Sequence, residues 1–214
     1  MSGYAFDLVL LVADLDQEVA LRTLVDHRAP SLGIRELNWT LLRDYRHDPG
    51  CLNESPNVLQ PFQSRAAHAL VVLDREGSGR EDLAAIEIEE IVAARLAESG
   101  WGDRARVIVV DPELESWVWS ASPKVGEVLG WQGRNPPLRD WLRLQGFIGT
   151  VDEKPSRPKE AMRAALKEVR QPVSASIFGR LAREVGLERC ADASFARLKD
   201  VLRGWFGDQV DQVE

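Results

Sequence analysis

Cysteine is nearly absent from this 214-residue chain: Cys51 and Cys190 are the whole complement, far apart and without metal-type spacing. That excludes a disulfide scaffold and a cysteine zinc site, and it predicts reduced thiols and a cytoplasmic setting. Histidine is equally scarce. His27, His47 and His68 share no metal-ligating spacing, which argues against zinc. No apolar run reaches the roughly 18 residues needed to span a bilayer, so no membrane partner is expected. The opening Met-Ser-Gly-Tyr-Ala-Phe-Asp lacks a basic flank before its apolar stretch, so no signal peptide is expected either. Also missing are a Gly-x-Gly-x-x-Gly after the first strand, a Walker phosphate loop and a Gly-x-Ser-x-Gly elbow. Their absence weighs against a dinucleotide dehydrogenase, an NTPase and an α/β-hydrolase.

Positive charge is in deficit, with a formal net charge of −7. Broad, nonspecific adhesion to nucleic acid is therefore disfavoured. The imbalance is uneven. Residues 151–204 carry 12 Lys/Arg against 8 Asp/Glu, whereas the last ten residues carry three acids and no base. An acidic front and a mildly basic rear can place a polyanion beside a cation site, or can simply be solvated helix surface.

What the chain does have is short apolar runs that end in acids. Residues 5–13 read as a first buried strand, and Asp14 to Arg28 as a helix capped by Asp14 or Asp16 and stopped by Pro30. Residues 34–42 read as a second strand. Residues 48–56, Asp-Pro-Gly-Cys-Leu-Asn-Glu-Ser-Pro, read as a loop, with a short helix at 58–65. A third strand at 67–74 leads through a Gly/Ser turn to a long helix at about 80–99, and a fourth strand follows at 106–111. Pro112 suits a first helical turn, with a helix from Glu113 onward carrying Trp117 and Trp119. Helices are then expected at about 138–145, 158–170, 174–185 and 194–205. This alternation predicts an α/β fold: a parallel sheet flanked by helices, with a helical C-terminal extension. The boundaries are placed at 1–148 for the α/β domain, 149–206 for the extension packed on it, and 207–214 for an acidic tail. The stretch 149–158, rich in Pro and charge, reads as the linker between the first two. Trp117, Trp119, Trp131 and Trp141 are read as core packing rather than as a base-stacking platform.

Acids cluster at three strand ends: Asp14, Asp16 and Glu18 after the first, Asp74 and Glu76 after the third, Glu113 and Glu115 after the fourth. Parallel strands deliver their carboxyl ends to the edge where ligands bind in open α/β sheets. Asp74 and Glu76 form an Asp-x-Glu pair whose carboxylates would point the same way in extended chain and reach one hard cation. The alternative is a capped turn with Glu76 in solvent. Glu113 and Glu115 lie where a helix dipole favours acids, but Glu115 stands among aromatics in Glu-Ser-Trp-Val-Trp and would need a partner.

With these residues in view, the chain resembles the TOPRIM fold of topoisomerases, primases and OLD-type nucleases. More closely, it is similar to an uncharacterised bacterial family of TOPRIM-like proteins found beside antiphage defence genes. The likeness rests on Val-Val-Leu-Asp-Arg-Glu at 71–76, Pro-Glu-Leu-Glu-Ser-Trp at 112–117, and a tail with Arg-Pro-Lys-Glu at 157–160, Ile-Phe-Gly-Arg-Leu-Ala-Arg-Glu-Val at 177–185 and Ala-Ser-Phe-Ala-Arg-Leu at 193–198. The resemblance implies a magnesium- or manganese-dependent nuclease of a defence system. In it Asp74 and Glu76 would ligate metal, Glu115 with Glu113 would ligate or orient it, and Lys159 and Arg163 would steer nucleic-acid phosphates. The family's first-strand glutamate is replaced here by Ala13 or Asp14, so Asp14 or Glu18 would serve as base. The departure leaves open a catalytically silent subunit that binds another defence-system protein, and a nucleotide- or small-molecule-binding module at the same edge.

Overall fold

A computed structural model of the chain describes residues 3–120, 122–149, 154–186 and 190–207. Its centre is the expected α/β architecture, a parallel four-stranded sheet in the order β2-β1-β3-β4. The strands are β1 (Phe6–Val12), β2 (Trp39–Arg43), β3 (Ala66–Asp74) and β4 (Ala105–Val110). β1, β3 and β4 are runs of Val, Ile and Leu because helices cover both of their faces. β2, at the sheet edge, is only half-buried.

The two faces separate by the strand alternation. Leu8, Leu10, Val12, Leu70, Val72 and Ile108 meet α1 (Leu15–Leu32) and α9 (Ala193–Phe206). Val9, Leu11, Val71, Leu73 and Val107 meet α2 (His47–Leu59) and α3 (Ala85–Leu96). A third core gathers α4 (Glu115–Val118), α5 (Lys124–Val128), α6 (Leu138–Leu144), α7 (Pro158–Glu168) and α8 (Ala175–Glu184). Helices from both sides of residue 149 contribute to this core. Trp119 and Trp131 are buried in it and Trp117 and Trp141 pack on it, as the core reading of the tryptophans requires. α8 lies close on α1: a Cβ at Gly179 would come 2.9 Å from Val19 Cγ1.

Two features tie the extension to the sheet. The Arg28 guanidinium donates to the carbonyls of Ala182, Arg183 and Val185, closing the C-terminal end of α8. At the free edge of β4, buried Glu89 of α3 accepts the Val109 N–H (2.9 Å) and pairs with Arg197 of α9 at 2.7 Å. A side chain from each face thus closes the edge against pairing with another strand.

Several local expectations are corrected. Residues 48–56 are not a loop: they lie in α2, where Asp48 and Pro49 suit a first turn and Pro56 is accommodated within the helix. Pro30 does not stop α1, which runs on to Leu32 through non-helical dihedrals at Arg28 and ends at Gly33 in the left-handed region. The second strand starts at Trp39 rather than residue 34. The helix expected from Glu113 is only the single turn Glu115–Val118, and the Asp111–Pro112 peptide before it is cis. The linker expected at 149–158 and the tail at 207–214 fall in part outside the described residues.

Candidate functional site

β1 connects to β2 on one side of the sheet, and β3 connects to β4 on the other. The strand order therefore reverses between β1 and β3, and the crevice at their carboxyl ends is the binding position such sheets offer. The register places Val12 opposite Val72, so Asp14 and Asp74, each two residues further on, arrive at the same level.

At the end of β1, Asp14 caps α1 by accepting the Gln17 N–H (2.8 Å). This turns Gln17 inward, where it has no exposure. Its Oε1 accepts the Ala13 N–H (3.0 Å) and its Nε2 donates to Asp74 Oδ1 (2.9 Å). Asp74 is 6% exposed, and its backbone N–H donates to Asp48 Oδ1 at 2.7 Å. Burial, joined by the carboxylates of Asp48, Glu115 and Asp14, holds the Asp74 carboxyl well above the usual carboxylate range, against a hydrogen bond from the Leu114 backbone. Burial likewise pushes Asp48 up to about 6, opposed by the Asp74 amide and reinforced by Asp14. Asp16 is also raised, by burial and then by Asp14.

From β4 come Glu113 and Glu115, both buried. Burial raises Glu115 to about 7 against the nearby Lys159, with Glu113 and Asp16 adding to the rise. Glu113 instead holds the start of α7, its oxygens accepting the Lys159 backbone N–H and the Lys159 ammonium, each at 3.0 Å. Desolvation disfavours that ammonium, but the Glu113 hydrogen bond and the charges of Glu115, Glu113 and Asp74 hold its pKa above the ordinary lysine value. Lys159 thus brings a positive charge into the acidic cluster.

The structure brings together Asp14, Asp16, Asp74, Glu113, Glu115 and Lys159 of the residues singled out in the sequence. It does not bring in the others. Glu76 is exposed, because the chain leaves the strand at Asp74 and turns, the Glu76 N–H reaching the Pro112 carbonyl (2.9 Å). Glu18 lies one turn up α1, paired with Arg22 (3.4 Å) and Arg43 (3.5 Å). Arg163 is exposed on α7. Two members of the cluster, Gln17 and Asp48, were not anticipated. Gln17 had a signal, since Asp14-x-x-Gln17 has capping-box spacing. Asp48 had none, standing in a stretch dense in turn formers.

The donors are all oxygens, which suits a hard cation. Among the described residues no three His, Cys, Asp or Glu side chains already stand in an arrangement that could hold a metal ion. No helix among the described residues is long and apolar enough to cross a membrane. No family model, no curated protein and no solved structure matches this chain.

Proposed function

We propose that the protein is a divalent-cation-dependent phosphodiester hydrolase acting on nucleic acid, with the acidic edge as its centre. The observation that supports this reading is the gathering of Asp48, Asp74 and Glu115 at the β1/β3 switch point, in surroundings dry enough to raise all three carboxyl groups. Carboxylates crowded in this way destabilise the empty fold, and an oxygen-preferring cation is the ligand that relieves them. Asp74, Asp48 and Glu115 are the residues that would hold Mg²⁺ or Mn²⁺. Such a cation, when bound, supplies Lewis-acid stabilisation of phosphoryl oxygens and a water of lowered pKa. Lys159, half-buried beside Glu113, is placed to hold a phosphate oxygen. Asp14, half-buried at the end of β1 where it caps α1, would be the base, since Glu18 is engaged by two arginines. A bacterial antiphage defence setting rests on the sequence resemblance alone.

The test is cleavage of labelled single-stranded and duplex DNA and RNA with Mg²⁺ or Mn²⁺, comparing wild type with Asp74→Asn and Glu115→Gln. Cleavage that falls to background in both folded variants supports the reading. Undiminished cleavage in both sinks it.

One observation favours a second reading. The Gln17 amide is bonded to Asp74, and β1 leads into buried Ala13 and the capping Asp14, at one of which the resemblance calls for a glutamate. A chain so altered would be a silent subunit that binds a defence-system protein. Because Trp119 and Trp131 are core residues, its docking face would not be the tryptophan-rich segment. A stable complex with a partner, and no cation response in either protein, would select this reading.

A further inference from the structure

The loop from β2 to α2 crosses the acidic edge. β2 ends at Arg43, opposite Val12, and the ladder continues one step as the Asp44 N–H donates to the Val12 carbonyl (2.9 Å). Four residues later Asp48 accepts the Asp74 N–H, so the loop runs over the end of β1 to the end of β3. It is pinned from below. Asp44 is 4% exposed, its Oδ1 accepts the Arg46 N–H (2.8 Å), and Gly50 passes so close that a Cβ there would collide with the Asp44 carboxylate.

Between these anchors Tyr45, Arg46 and His47 all face solvent. Tyr45 is 78% exposed, so its ring contributes little to any core. The Arg46 guanidinium lies over that ring, 5.0 Å from its centroid, its Nε donating to the Tyr45 hydroxyl (2.6 Å) and its Nη1 pairing with Glu54 (3.1 Å). His47 has φ of 59°, in the left-handed region that few non-glycine residues adopt. Arg43, at the end of β2, pairs with Glu18, which also pairs with Arg22 a turn further along α1. An aromatic and arginine-bearing rim, its Arg43 and Arg46 paired with Glu18 and Glu54, therefore borders an acidic centre.

We infer that Tyr45, Arg46 and His47 form a docking rim for single-stranded nucleic acid, a base stacking on the Tyr45 ring while Arg46 and His47 take the flanking phosphates. This deepens the hydrolase reading and rests on it for the direction of the strand, which would pass from the rim onto the acidic edge. Aromatic faces beside cations are the chemistry that holds single strands without sequence preference. A duplex buries its base faces in its own stack, so an exposed ring on a fixed loop selects unpaired bases. The acidic centre repels a polyanion, and the rim supplies the compensating attraction.

The experiment is fluorescence anisotropy of a labelled oligothymidylate with the full chain, in EDTA at low salt, so that cleavage is off. Tyr45→Ala should weaken binding by roughly 5- to 150-fold, the span of base–aromatic stacking, while Tyr45→Phe retains it. Arg46→Ala should lower the salt-dependence slope by about one. Tyr45 supports no core, so these variants fold. Absence of binding by wild type, equal binding by Tyr45→Ala, or tighter binding of the matching duplex would each overturn the inference. Tyr45-dependent binding without any cation-dependent cleavage would leave the rim standing and remove the hydrolase. Cleavage with Tyr45-independent binding would do the reverse.

Discussion

Replacing Glu115 by glutamine should stabilise the cation-free protein in mild alkali and do little in mild acid. Glu115 is 7% exposed, and burial raises its carboxyl pKa from 4.5 to about 7 in spite of Lys159. The fold therefore holds the proton more tightly than the unfolded chain does. Its contribution to stability is fully present below the unfolded pKa and is lost as pH rises through the folded one. Between about pH 5 and about pH 8 the loss comes to about 2–3 kcal/mol, at about 1.4 kcal/mol per unit of pKa. For a domain of this size that corresponds to about 5–10 °C in Tm. Glutamine keeps the shape and never ionises, so the variant lacks this slope. Asp48 and Asp74, also raised by burial, add slope of the same sign to both proteins, and His68, lowered by burial, adds slope of the opposite sign. Subtracting variant from wild type removes Asp48 and His68; Asp74, raised in part by the Glu115 charge, loses that part in the variant, which widens the difference in the same direction. Urea unfolding in EDTA across this pH range is the assay. A wild-type-minus-variant difference that stays constant with pH would mean that Glu115 does not hold its proton through folding.

Three further outcomes are expected. Gln17→Glu turns the amide donor facing Asp74 into a carboxylate; thermal unfolding should show a loss of about 2 kcal/mol without Mg²⁺ and a larger Mg²⁺-induced rise than in wild type. Arg197→Met strands the buried Glu89 carboxylate, which should cost about 3–5 kcal/mol in urea unfolding, and a loss below about 1 kcal/mol would mean water solvates Glu89 from the β4 edge. Gly50→Ala drives a methyl into the Asp44 carboxylate and should destabilise by about 1–3 kcal/mol, read as a Tm drop; an unchanged Tm would show that the loop is not pinned there.

The sheet was legible because buried parallel strands are short continuous apolar runs, a pattern carried within β1, β3 and β4 by residues 8–12, 69–73 and 107–110. The helices of the extension were legible from their spacing: Ala161, Met162, Ala165 and Leu166 put one face of α7 into the core. α2 was not. Its Pro49, Gly50, Asn53 and Pro56 carry turn propensity, and tertiary contact outweighs it, since Cys51, Leu52 and Leu59 are buried against the sheet. Losing that helix meant losing Asp48, whose place in the cluster depends on where the helix starts. Glu76 failed for the opposite reason. The Asp-x-Glu spacing has meaning only in extended chain, and β3 ends at Asp74. Composition and spacing show which acids leave which strands; only the register and turns decide which of them meet.

Everything proposed for the acidic edge depends on its taking up a divalent cation. Thermal unfolding with and without millimolar Mg²⁺ or Mn²⁺, on wild type and on Asp74→Asn, is the decisive measurement. A ligand that binds only the folded state stabilises it by about 2.7 kcal/mol when present at about one hundred times its Kd. The Tm of wild type should rise by several degrees with either cation, and the rise should vanish in Asp74→Asn. A wild-type Tm indifferent to both cations, or an equal rise in the variant, would contradict a cation site at the ends of β1 and β3.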